Sequence, residues 1–99
     1  MAVRLAKTFK GANVQERGVI SMTATHYAFR CRKGLAEIIW RFERGQTAWH
    51  CYFNGEWIGG YGSPRVSAEQ IAGGSCNWPS EGDISEFGIS DDLSDWAVR

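Results

Sequence analysis

A chain of 99 residues, 43% apolar and 13% aromatic, is long enough for one hydrophobic core, too short for two and too apolar to stay disordered, so a single domain over residues 1–99 is expected. Eleven basic residues balance eleven acidic ones, which argues against a dedicated duplex-DNA binder, because neutralising phosphates takes a surplus of Lys and Arg. No apolar run approaches the ~20 residues of a bilayer span. Met1 to Lys10 lacks the apolar stretch of a secretory signal. Cys31, Cys51 and Cys76 are odd in number and widely spaced, so free thiols, a reducing compartment, a cytoplasmic location and no membrane partner are expected.

Taken in chain order, Val3 to Phe9 and Val19 to Thr23 read as strands. Near Ala24 the alternation slips, since Ile20 and Met22 fall out of phase with Tyr27 and Phe29, which marks a bulge or corner. Lys33-Gly34 is expected to close a hairpin pairing Cys31 with Ala36, Phe29 with Ile38 and Tyr27 with Trp40. Arg44-Gly45 closes a second, pairing Phe42 with Thr47, Trp40 with Trp49 and Ile38 with Cys51.

The strongest local signal is Asn54-Gly55 between two β-prone runs, since both residues tolerate the positive φ of a type I′ turn. Its register pairs Phe53 with Glu56, Tyr52 with Trp57 and Cys51 with Ile58. One face then collects Tyr27, Phe29, Cys31, Ile38, Trp40, Phe42, Trp49, Cys51, Phe53 and Ile58, which is the predicted core. Downstream, Ser67-Ala68-Glu69-Gln70 has capping-box spacing and Gly73-Gly74 ends that helix. A second helix is predicted from Ser90, with Asp91 and Asp92 at its positive end and Leu93, Trp96 and Ala97 on one stripe. The fold class is α+β: an antiparallel β-meander of four to six strands with two short helices packed on one face.

No Cys-x-x-Cys, His-Glu-x-x-His, Gly-x-Ser-x-Gly or phosphate-cradling Gly loop occurs, so a small enzyme is only a secondary reading and no cofactor is expected. His26 and His50 share the non-core face, but Arg41, Ile39 and Gly59 beside them supply no further ligand, so no metal is expected. Cys76 lies in a loop with no base or cation placed beside it.

That non-core face groups Trp57, Tyr52, Tyr61, His50, Arg41, His26 and Arg30, with Arg30 opposite Glu37. Aromatics with Arg and His match the composition of protein-interface hot spots. A non-catalytic protein-binding module is therefore the preferred reading, with another protein as partner or a homodimer through this face. Its small size and missing motifs suit an inhibitor or adaptor of a phage or other mobile genetic element. The alternative is a single-stranded nucleic-acid or small-ligand binder stacking on the same aromatics. Seven basic residues against Glu16 in residues 1–33, and seven acids against Arg99 in residues 66–99, make Asp91, Asp92 and Asp95 a second candidate surface, for a basic partner.

Overall fold

The computed structural model describes residues 24–99. The strands expected at Val3 to Phe9 and Val19 to Thr23 lie outside the described residues. Within them the chain runs through β1 (His26–Cys31), β2 (Gly34–Glu43), β3 (Gln46–Phe53), β4 (Glu56–Tyr61), α1 (Pro64–Gly73), 3-10 turns at Ile84–Glu86 and Leu93–Asp95, and β5 (Ala97–Val98). The sheet is antiparallel, with order β4-β3-β2-β1-β5. No described helix is long and apolar enough to cross a membrane.

Both type I′ turns form as their residues dictate: Arg44 and Gly45 sit at φ 55° and 83°, Asn54 and Gly55 at 51° and 84°. The β2–β3 register therefore pairs Trp40 with Trp49 and Ile38 with Cys51, as expected. The first hairpin differs. Its turn is Arg32-Lys33, with Cys31 opposite Gly34, Phe29 opposite Ala36 and Tyr27 opposite Ile38. Arg30 consequently faces Leu35, and Glu37 faces Ala28. Lys33 does not adopt the positive φ that a Lys33-Gly34 type I′ turn demands; Gly34, at φ 148°, absorbs the twist after the turn. The shift is two residues, so every side chain keeps its face.

Asn54 locks this turn to the next. Its N–H donates to Leu35 O (2.9 Å), its Oδ1 accepts from Leu35 N (2.9 Å), and its Nδ2 donates to Lys33 O (3.1 Å) and Glu81 Oε2 (2.8 Å). A side chain at position 34 would overlap the Asn54 carboxamide, which is a second reason for glycine there.

The β3–β4 register also departs from the expected one. Tyr52 faces Trp57 as the turn requires, but Cys51 faces Gly59 and Trp49 faces Tyr61, leaving Ile58 as an extra residue. Burial explains the bulge, because it puts Ile58, only 1% exposed, and also Gly59 and Tyr61, opposite Cys51 and Trp49, onto the core side. Tyr61 thereby moves to the core face, where its ring lies over Gly59.

The helix begins at Ser63-Pro64 and not at Ser67. Ser63 Oγ accepts from Val66 N (3.1 Å), and Pro64 in the first turn has no N–H to satisfy. Ser67 is buried and donates back to Ser63 O (2.8 Å). Gly74 at φ 75° closes α1 with Ser75 N–H on Gln70 O and its own N–H on Ile71 O, a Schellman motif. Its small buried face, Ser67, Ala68 and Ile71, lets the helix sit close to the sheet.

No helix starts at Ser90. Asp92 caps the single 3-10 turn Leu93–Asp95, after which the chain straightens and β5 pairs with β1 at Tyr27 and Ala28. Trp96 still reaches the core, against Phe29 at 5.5 Å between ring centres. One helix and two 3-10 turns therefore stand where two helices were predicted. Beside the edge strand β4, Asn77 N donates to Ile58 O (2.9 Å), and on the other side the short β5 pairs with β1 at Tyr27 and Ala28.

Candidate functional site

On the face away from α1, the predicted residues Trp57, Tyr52, His50 and Arg41 do come together, but they bind one another. Trp57 Nε1 donates to His50 Nδ1 (3.1 Å), and His50 Nε2 lies 3.1 Å from Gln46 O. A carbonyl only accepts and the indole only donates, so this neutral ring carries its proton on Nε2. Arg41 Nη1 donates to Tyr52 OH (3.1 Å), and Tyr52 OH in turn donates to the Glu43 carboxylate. Arg44 stacks over Trp57, 3.8 Å from the ring centre. His50 is 0% and Tyr52 7% exposed, so neither is the open surface the sequence suggested.

These contacts reveal how the sheet bends. An extended strand would set Gln46 and His50 about 13 Å apart at ~3.3 Å per residue, yet the His50 ring meets the Gln46 carbonyl. Glu43 and Arg44 likewise reach Tyr52 and Trp57, well down the sheet. The β2–β3 tip is curled over this face. Arg44, Glu43 and Gln46 are the partners that sequence reasoning missed; the one available signal was the type I′ turn that aims the tip.

The charges follow the geometry. The Tyr52 hydroxyl, and then Arg41, hold the Glu43 carboxyl below its usual range. Tyr52, and then Glu43, push Arg41 up. Burial first, and then the Glu43 bond, raise Tyr52. His26 is apart from this knot, paired with Glu37 at 2.9 Å, and Arg30 is exposed further along β1. Tyr61 is absent from this face, for the reason given by the Ile58 bulge.

The open aromatic surface is instead the outer end of the predicted core face. Trp40 is 43% and Phe42 71% exposed, against the expectation that both are core. Trp40 and Tyr27 flank Trp49 at 5.3 and 6.0 Å between ring centres. Ala24, Thr25, Trp40 and Trp49 line a shallow depression of about 230 Å³. The curl of the tip toward the other face makes this side convex, and α1 lies against the other end of the sheet.

The acids form no helix face. Asp92 accepts from Ser94 N (2.9 Å) and Oγ (2.8 Å), which lowers its pKa, and Asp95 accepts from Ser90 Oγ (2.6 Å). Asp91 and Asp92 border an open depression of about 500 Å³ with Arg65 and Glu69. All three cysteines are free. Cys76 is partly buried against the core and not simply exposed in its loop, while Cys31, expected to be buried, is only partly so. Burial pushes the Cys51 thiol up to about 12, opposed by a Ser67 hydrogen bond. It pushes Tyr61 to about 12, with Cys76 and Cys51 adding to the effect.

No family model matches the chain, and neither does any curated protein or solved structure.

Proposed function

We propose that the chain is a non-catalytic protein-binding module whose docking surface is the convex aromatic end of the sheet, Trp40, Phe42 and Trp49. One observation carries this reading: two large aromatics stand exposed on the same sheet face whose other end is sealed. Clustered aromatics form the desolvated centre of protein interfaces, and a contiguous exposed apolar patch on a small domain marks an interaction site. The partner is an apolar segment of another protein, because the depression beside Trp40 is lined, among the described residues, by apolar and neutral groups with no charged side chain. Among the described residues, Arg41 and Arg44 lie on the opposite face, over the chain's own Tyr52 and Trp57, and not beside the exposed aromatics where stacked bases would need them.

The test compares the parent chain with Trp40→Ala/Phe42→Ala and with Asp91→Asn/Asp92→Asn/Asp95→Asn. A partner captured by the parent, then purified, should bind directly and lose about 30-fold or more in affinity to the aromatic variant only. Equal binding by the aromatic variant sinks this surface. Loss confined to the acid variant transfers the function to the Asp91 region. Concentration-dependent dimers in sedimentation that vanish in the aromatic variant would make the partner a second copy.

A further inference from the structure

The second face contains a device that the binding reading does not use and that does not depend on it. His50 is fully buried, and each ring nitrogen has one partner of fixed polarity: the Gln46 carbonyl, which only accepts, and the Trp57 indole, which only donates. The Nδ1 side is tight, since a side chain at Gly60 would come within 3.2 Å of it. We propose that His50 is an acid-operated latch: uptake of a solvent proton at Nδ1 expels the Trp57 indole, and Arg44 with it, while the sheet stays folded.

The step follows from donor and acceptor counting. Neutral His50 accepts at Nδ1; imidazolium carries N–H on both nitrogens, so Nδ1–H would point at the indole N–H across a 3.1 Å contact. Two donors cannot share that line, and a buried unpaired donor is unfavourable. The Gln46 bond survives because Nε2 donates in both states. Trp57 is the side chain free to leave, being only partly buried and held by that hydrogen bond and the Arg44 stack.

The charged groups around His50 confine the effect of the proton. On β2, the Glu43 carboxylate feels His50 electrostatically and stays ionised as the pH falls, because Tyr52 and Arg41 hold it low. Arg41 on β2 and Arg44 at the tip are spent on Tyr52 and Trp57. Tyr52 is the other titratable group of β3 here, and Trp57 and Gly60 of β4 contribute none. The His26–Glu37 pair lies beyond Ile39. The Arg41–Tyr52–Glu43 knot keeps the end of β2 in place when Trp57 moves. Acidification therefore bares one indole without opening the sheet.

The experiment follows the five tryptophan indole N–H resonances by NMR from about pH 8 to about pH 5, the interval over which histidines change charge. Trp57→Phe identifies its own signal. His26→Asn leaves His50 as the sole imidazole, so its titration is read without altering it. The Trp57 indole signal should shift or vanish in step with His50, while the Trp96 indole, bonded to Ser90 O at 3.0 Å, and the backbone amides stay unchanged. In His50→Gln the transition should disappear. A Trp57 signal unmoved while His50 titrates, one that changes only together with global unfolding, or one that persists in His50→Gln overturns the latch. Should His50→Gln not fold, the His26→Asn titration alone decides.

Discussion

Two ends of one sheet face have opposite fates. Ala36, Ile38, Cys51 and Phe53 are wholly buried, whereas Trp40 and Phe42, a few residues along β2 in the same alternation, are largely open. Alternation selects a face because successive side chains point to opposite sides. Whether that face is covered depends on where later segments travel. Here α1, the turn at Ile84–Glu86 and Trp96 all gather at one end, and the curled tip withdraws from them. An apolar period in a strand is thus a statement about direction, and burial is a separate event.

The contrast is most severely tested by deleting everything after Gly88. That removes Ile89 and Trp96 from the core, so the sealed end should open and cooperative thermal unfolding be lost; an unchanged melt would mean that the C-terminal segment contributes no cover. Next comes Phe53→Ala, which empties a site wholly buried against Phe87 at 5.2 Å and should lower unfolding stability by about 3–5 kcal/mol in denaturant titrations.

Gly34→Ala should lower stability by about 1–3 kcal/mol, because a side chain at φ 148° is strained and also displaces Asn54. If Gly34→Ala melts like the parent, the lock between the two turns is unimportant.

Alkaline pH probes the sealed end differently. Cys51 rises from its ordinary 9.0, and Tyr61 from 10.0, each to about 12 on folding. Both are neutral when protonated, so the unfolded chain loses those protons first. Their contribution is full below pH 9.0 and is lost as pH climbs toward about 12. Denaturant midpoints should fall across that window, less steeply in Cys51→Ala; parallel curves would deny Cys51 its part. The smallest effect belongs to the open end: Phe42→Ala should change stability by no more than about 0.5 kcal/mol. A loss comparable to that of Phe53→Ala would show that Phe42 is covered after all, and the proposed docking surface would fall with it.

Much of the candidate site was legible only as a roster. Turn chemistry placed Trp57 opposite Tyr52 and put His50 and Arg41 on the same face, all as observed. It did not reveal that these groups consume one another's hydrogen bonds, because the partners Glu43, Arg44 and Gln46 arrive by a bend along the strand and not by register. Tyr61 was misplaced because one extra residue inverts every side chain beyond it, and no residue type announces a bulge at Ile58.

By itself the sequence determined the elements governed by local chemistry: two type I′ turns, because Asn-Gly and Arg-Gly can adopt positive φ, the register between β2 and β3, and the C-terminus of α1 at Gly74. Those choices involve neighbours a few residues apart, whose energies do not wait for the rest of the chain. Only the tertiary structure decided the Ile58 bulge, the straightening of residues 90–98 into a 3-10 turn and β5, and which aromatics remain open. Each of these balances a local preference against burial that exists only once distant segments meet. Ser90 to Trp96 has acids and spacing suited to a helix, yet pairing with β1 while seating Trp96 on Phe29 satisfies both the sheet edge and the core.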